Sequence, residues 1–327
     1  MSRRNITSFR VILDSKGDFF MKSSMKENFD LLKSRVIDSL DKTDLEYIKY
    51  ELSKIKDSTI VSGVGGSSVV SEFASKVLRE KNKIITYNAQ PRDFNYDSFS
   101  GFKNVLSCSY GGNNHGVTMA FNNELKKYLL SNNSFDDEEI TYLKYTTSIV
   151  KEKSFISLGA TLIPISILLN YYLDGNNSLI LENINETEFN IDNRINIYEI
   201  FTGNDTSVAS KYLESTFLES GLGIPIIHDK YDYCHGRSTI STHYKNNVIY
   251  FNRNTEFDRL MLEELKKYYN QIIVIDSITD NLIIDDYQML IKSMYLTKHL
   301  AEIQNIDLSN IKYSPLVKKL YRYKGEI

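Results

Sequence analysis

Cysteine is scarce in this sequence: Cys108 and Cys234 are the only two among 327 residues. Two isolated cysteines supply neither a disulfide framework nor a spaced metal-ligand cluster. That excludes the disulfide-rich secreted domains and the zinc modules, and it predicts a reducing cytoplasm as the setting, with no metal. An excess of one charge is missing too. The 39 Lys and Arg stand against 42 Asp and Glu for a net charge of −3, so no global field gathers nucleic acid or an anionic membrane, and any anion site has to be local. Long apolar runs are also absent. The longest, Leu158 to Leu169, falls short of the roughly 20 residues that a bilayer span needs. The N-terminus, Met1 to Phe20, interrupts its apolar residues with Arg3, Arg4, Arg10, Asp14, Lys16 and Asp18, unlike the core of a signal peptide.

What the chain does have is length and apolar content. At 327 residues and 42% hydrophobic, it exceeds one typical domain and can bury a substantial core, so two domains are expected. Residues 21 to 57 read as helical, with Phe29, Leu32, Val36 and Leu40 on one stripe. Ser58 to Ser62 then reads as a strand, Gly63-Val-Gly-Gly-Ser-Ser68 as a loop and Val69 to Lys81 as a helix. Strand-like runs follow at Lys83 to Asn88 and Asn104 to Tyr110. A second cycle begins at Ile195 to Phe201, with the loop Gly203 to Thr206, the helix Val208 to Leu222, and strands at Ile224 to Ile227, Val248 to Phe251 and Ile272 to Ile275. This alternation predicts an α/β fold with mainly parallel sheets flanked by helices. The expected organisation is a helical segment over 1–57, units over 58–185 and 186–310, and a tail over 311–327, with the polar stretch Asp174 to Asn193 between the cycles. Gly112 to Glu139 is too short for a helix, a strand and a second helix, so the first unit is expected to be truncated by one element.

Two glycine-rich turns follow predicted strands, Gly63 to Ser68 and Ser107-Cys-Ser-Tyr-Gly-Gly-Asn-Asn114. Small residues there let backbone N–H groups face a bound anion, and both loops would open on one crevice at the carboxyl ends of the strands. A glycine-rich turn serves equally as a plain tight connection. The sharper pair is Glu219, near the end of the second-cycle helix, and His235, in a turn after the next strand. A carboxylate and an imidazole together suit proton shuttling, although a single Glu or His is more often a solvated or satisfied side chain.

Tyr212-Leu-Glu-Ser-Thr-Phe-Leu-Glu219 followed by His235-Gly236 resembles the second sugar isomerase (SIS) domain of glucosamine-6-phosphate synthase isomerase domains and of fructosamine-6-phosphate deglycases. The resemblance implies two SIS domains in tandem and a phosphosugar or amino-sugar-phosphate isomerase, deaminase or deglycase that needs no cofactor. It makes Glu219 the base and His235 the ring-opening residue, with Asp232 where the family has Glu and Arg237 where it has Pro. Gly63, Gly65, Ser67 and Ser68 match the family's opening glycine-serine loop. Lys153-Ser-Phe155 matches its Lys-x-Phe, and the tail Ser314 to Leu320 makes Lys318 or Lys319 the lysine over the sugar. Ser107, Ser109, Asn113 and Asn114 fall in the phosphate loop, where the family's Ser-x-Ser-Gly-x-Thr has become Ser109-Tyr-Gly-Gly-Asn-Asn114. The loss of two hydroxyl positions keeps a non-catalytic sugar-phosphate sensor open as the alternative. The resemblance also implies a homodimer.

Overall fold

The computed structural model describes residues 11–13, 19–21, 24–95, 99–147, 157–189, 191, 196–243 and 246–311. An antiparallel pair, β1 (Val11–Leu13) and β2 (Phe19–Met21), lies in the segment expected to be helical. Three helices follow, α1 (Met25–Asp30), α2 (Leu32–Lys42) and α3 (Leu45–Ser53), and they bury Phe29, Leu32, Val36 and Leu40 as the spacing predicts. The first unit continues with β3 (Thr59–Gly63), α4 (Gly66–Val77), β4 (Thr86–Ala89), β5 (Asn104–Cys108), α5 (His115–Phe121), β6 (Lys126–Ser131), β7 (Ile140–Lys144), α6 (Leu158–Tyr172) and α7 (Asn177–Glu182). The second comprises β8 (Ile197–Thr202), α8 (Ser207–Ser220), β9 (Ile224–Asp229), α9 (Lys230–Cys234), α10 (Ile240–His243), β10 (Asn247–Asn252), α11 (Glu256–Leu265), β11 (Ile272–Asp276) and α12 (Leu282–Gln304).

Every pairing in the two larger sheets is parallel. The first sheet runs β4-β3-β5-β6-β7 and the second β11-β10-β8-β9. Numbered within its own unit, the first reads 2-1-3-4-5 and the second 2-1-3-4, so the same four-strand order occurs in both. Strands β3, β5 and β10 are buried along their whole length, which is why each carries adjacent apolar residues, Ile60-Val61, Val105-Leu106 and Val248 to Phe251, rather than alternation. The truncation expected of the first unit falls on its helices. Helix α5 has 7 residues, and residues 132–139 join β6 to β7 with no helix between. Its sheet, at five strands, is larger than the four-stranded second one.

A single apolar core joins the units, running from Phe29 and Phe73 through Leu162 to Phe217 and Met294. Helix α6, apolar on every side, packs against α2, α3, α4 and α12, and α8 packs against α4 and α12. Polar ties cross the same seam. The Ser166 and Tyr287 hydroxyls share a hydrogen bond of 2.9 Å, and Lys76 on α4 is paired with Asp286 on α12, both buried.

Strand β9 is one edge of the second sheet. The Ile224 amide donates inward to Asn196 at 2.7 Å, so by strand alternation Pro225 and Ile227 face the side that no described strand covers. Pro225 has no N–H to offer there, and the Ile227 carbonyl accepts from the Arg237 guanidinium at 3.4 Å.

In the first sheet, Gly63 at the end of β3 makes a close approach. A Cβ at this position would lie 2.2 Å from the Ser67 carbonyl oxygen, so β3 and the first turn of α4 fit together only around glycine. Gly63→Ala is expected to cost about 3 kcal/mol, the upper end of overpacking penalties, seen as a lower urea midpoint at unchanged slope. A midpoint equal to that of the unmodified protein would show that the loop relaxes freely.

Candidate active site

In a parallel sheet of order 2-1-3-4, the crevice opens at the carboxyl ends of strands 1 and 3, where successive connections leave in opposite directions. This chain has two such places, one between β3 and β5 and the other between β8 and β10.

At the first, β3 passes through Val64 and Gly65 into α4. The amides of Ser67 and Ser68 turn back onto the carbonyls of Val64 and Gly65 at 3.1 and 2.8 Å. Those two N–H groups are therefore spent within the turn, which leaves the partly exposed Ser67 and Ser68 hydroxyls at the mouth. After β5, Ser109 is buried, and its oxygen accepts from the Gly112 amide and the Asn114 side chain, both at 3.1 Å. The acceptor capacity of that hydroxyl is filled, and its O–H remains available to donate. Asn114 caps α5, its Oδ1 accepting from the Val117 amide at 3.0 Å, so both polar ends of this side chain hold the loop. Asn113 is exposed. Ser107 lies inside β5, buried beside Ser62, and not in the loop where the sequence reading grouped it.

The two loops do meet. A Cβ at Gly116 would fall 2.5 Å from Val64 and 3.1 Å from Pro91, which brings together the ends of β3, β4 and β5. This convergence sets two basic side chains that sequence reasoning passed over at the same rim. Arg92 lies in the turn Pro91–Asn95 directly after β4, and His115 is the first residue of α5. No local pattern in the sequence singles them out, since only the strand order brings the two turns together.

The second crevice is filled by the chain itself. Arg253, just after β10, sets its Nε 3.3 Å from Asp205 and pairs through Nη1 with the fully buried Asp285. Asp285 also accepts from the amides of Ile278 and Thr279 at 3.0 and 3.1 Å. Beside it Asp258 accepts from Lys230 at 2.6 Å, from the Tyr250 hydroxyl at 2.7 Å and from the Arg253 amide at 3.1 Å. Burial pushes the Asp258 carboxyl up, and Lys230, Tyr250 and Thr255 together outweigh this and hold it below the usual carboxylate range.

Glu219 is the penultimate residue of α8, exposed, and accepts from the Ser215 hydroxyl at 2.8 Å. His235 follows α9, also exposed, with its amide on the Asp232 carbonyl at 3.0 Å. Among the described residues no hydrogen bond joins Glu219, His235 and the first crevice. Lys153, Lys318 and Lys319 lie outside the described residues.

The root of the arm that carries His235 is anchored in the second unit. His228 on β9 pairs with Glu199 on β8 at 3.0 Å, and Glu199 also accepts from Asn246 and the Tyr269 hydroxyl, each at 2.8 Å. Burial pushes the Glu199 carboxyl up, but the donors His228, Asn246 and Tyr269 hold it below its ordinary range. Of the cysteines, burial pushes the Cys108 thiol far up and leaves it inert, while Cys234 is exposed. No group of His, Cys, Asp and Glu among the described residues has the arrangement of a metal site, and no described helix is long and apolar enough to cross a membrane.

No protein-family model matches the chain, and no curated protein matches it. Solved structures do. Tagatose-6-phosphate ketose/aldose isomerase from Escherichia coli is similar at 12% identity and TM-score 0.67, over 94% of this chain and 99% of that one. Glucosamine-6-phosphate deaminase from Thermotoga maritima is similar at 14% identity and TM-score 0.63, over 86% of this chain and 97% of that one. The C-terminal domain of glucosamine-fructose-6-phosphate aminotransferase from Francisella tularensis is similar at 12% identity and TM-score 0.56, over 86% of this chain and 95% of that one. With its two parallel sheets flanked by helices, the chain has the SIS-type fold of these proteins along most of its length.

Proposed function

We propose that the chain binds a phosphorylated sugar or amino-sugar phosphate, with the phosphate in the first crevice, and moves a proton between neighbouring sugar carbons as an isomerase, deaminase or deglycase. One observation carries this reading: the β3 and β5 loops meet at the switch point of a sheet in a chain that shares most of its fold with a ketose/aldose isomerase. The Ser67 and Ser68 hydroxyls, the Ser109 O–H and the amides of Gly65, Gly66, Gly111 and Asn113, which donate to no acceptor among the described residues, favour an anion. Arg92 supplies positive charge at the rim, and His115 a ring nitrogen that can hydrogen-bond an anion. In this reading Glu219 is the base, His235 opens the ring, and Lys153 and Lys318 or Lys319 steady the substrate. The units span 58–185 and 186–310, and the tail 311–327 closes over the site. A second copy of the chain in a cytoplasmic homodimer brings its own His235 arm to the substrate.

The exposure of Glu219 and His235, with no hydrogen bond between them, favours a second reading in which the protein senses a sugar phosphate without turning it over. Both readings require the crevice to recognise phosphate. Replacing Ser68 and Ser109 together with Ala is expected to weaken phosphosugar binding about 10²-fold by isothermal titration, since each hydroxyl donates to a charged oxygen. The non-phosphorylated analogue should be unaffected. Equal affinity of the unmodified protein for the two sugars would sink the assignment.

A further inference from the structure

The two crevices repeat one topology, and they differ in where their negative charge comes from. Glu72 belongs to α4 of the first unit but reaches the mouth of the second. One carboxylate oxygen accepts from the Ser207 hydroxyl at 2.7 Å, in the first turn of α8, and the other accepts from the Asn88 amide at 2.5 Å. Lys211, one turn further along α8, stands 3.7 Å from the second oxygen. Burial pushes the Glu72 carboxyl up, yet Ser207, Lys211, Asn88 and Lys76 together hold it below the ordinary carboxylate range, so it stays charged. Two residues before Ser207, Asp205 rests its own carboxylate on Arg253. Counted from the start of its helix, Glu72 corresponds on α8 to Leu213, which is apolar and fully buried. At that position the second unit sends no carboxylate toward the first crevice.

We infer that Glu72 is the resident anion of the second crevice. Ser207, Asn88 and Lys211 form an oxyanion-binding set of the kind that takes phosphate or a carboxylate, and the chain fills it with its own side chain. Only the first crevice is then left open, and each chain exchanges one phosphate ester. This last step rests on the proposed function; the role of Glu72 does not.

The test is rescue by a free anion. Glu72→Ala removes the carboxylate and leaves its donors and Lys211 facing the vacated space. Inorganic phosphate should then raise the midpoint of thermal unfolding of the variant at least about twice as much as that of the unmodified protein, because a ligand taken up by the folded state alone adds RT ln(1 + [L]/Kd). Sodium chloride at matched ionic strength should produce no such difference. Equal gains from phosphate in the two proteins overturn the inference. Should Glu72→Ala fail to fold, Glu72→Gln keeps the volume and removes the charge, and the same comparison applies. Hydrogen exchange on the unmodified protein supplies the independent arm. Phosphate should leave amides 204–208 unchanged while protecting 64–68 and 110–116, and protection at 204–208 would overturn the resident-anion role. Rescue of the variant with no protection at 64–68 would uphold Glu72 and refute the proposed site in the first crevice.

Discussion

Lys76→Met is expected to lower the free energy of unfolding by about 3–5 kcal/mol at pH 7.5, because it strips the cation from a carboxylate that has no exposure to water. Asp286 lies at the seam of α4, α8 and α12, and one of its oxygens has no hydrogen-bond partner among the described residues. Burial pushes its carboxyl up to about 6, against the pull of Lys76. A folded-state value above the unfolded one means that the folded chain keeps the proton longer. The stability contributed by the protonated acid is complete below about pH 4 and is lost as pH rises through about 6. The cost of Lys76→Met should accordingly be greatest above pH 6 and shrink toward pH 4, where the carboxyl is neutral with or without its partner. Pairing it with Asp286→Leu should return the protein to its original stability or above it, since a matched apolar pair avoids both desolvation costs. Urea unfolding of the three proteins at pH 4.5, 6 and 7.5 measures this. A double variant no better than the single one, or a penalty independent of pH, would mean that the pair does not behave as a buried charge.

Turnover is expected to collapse in Glu219→Gln while binding survives. Glutamine keeps the shape of the side chain and its acceptor oxygen for Ser215, but it cannot take a proton. If Glu219 is the base, exchange of the C2 proton of the sugar phosphate with solvent deuterium should fall about 10²–10⁴-fold with an unchanged dissociation constant. His235→Asn should slow closed-ring substrates more than open-chain analogues, since ring opening is the step assigned to it. If the unmodified protein binds a sugar phosphate tightly and exchanges nothing over hours, the sensor reading replaces the enzymatic one.

The fold was most legible where strands are buried on both faces. Val248 to Phe251 lies within β10, all of whose residues are buried, while the half-buried edge strand β11 was matched by Ile272 to Ile275 through its unbroken Ile and Val run. Strand β6 escaped because it opens with Lys126-Lys127. Lys127 is neutralised by Glu139 at 2.8 Å from the loop before β7, and Lys126 sits 5.2 Å over the Tyr128 ring, contacts that exist only after folding. Strand β4 begins later than its apolar lead-in, because Lys83 takes a left-handed conformation at φ +56 and ends the helical turn there. At the first crevice the glycines marked the loops, but nothing local distinguishes Ser109 and Asn114, which hold the loop, from Ser67 and Ser68, which face its mouth. Arg92 and His115 acquire meaning only from strand order, which no local pattern encodes. The same is true of Glu199 and His228, 29 residues apart in sequence and joined only because β8 and β9 are neighbours.

The edge position of β9 bears on how the protein behaves in concentrated solution. A parallel sheet whose edge no described strand covers, with exposed apolar residues, here Ile224 at 57% exposure, is a template on which extended segments of other molecules can add. Two substitutes for a covering strand block that growth: Pro225 removes one donor from the row, and Arg237 occupies the acceptor at Ile227. An incoming strand would therefore meet an interrupted ladder at Pro225 and Ile227.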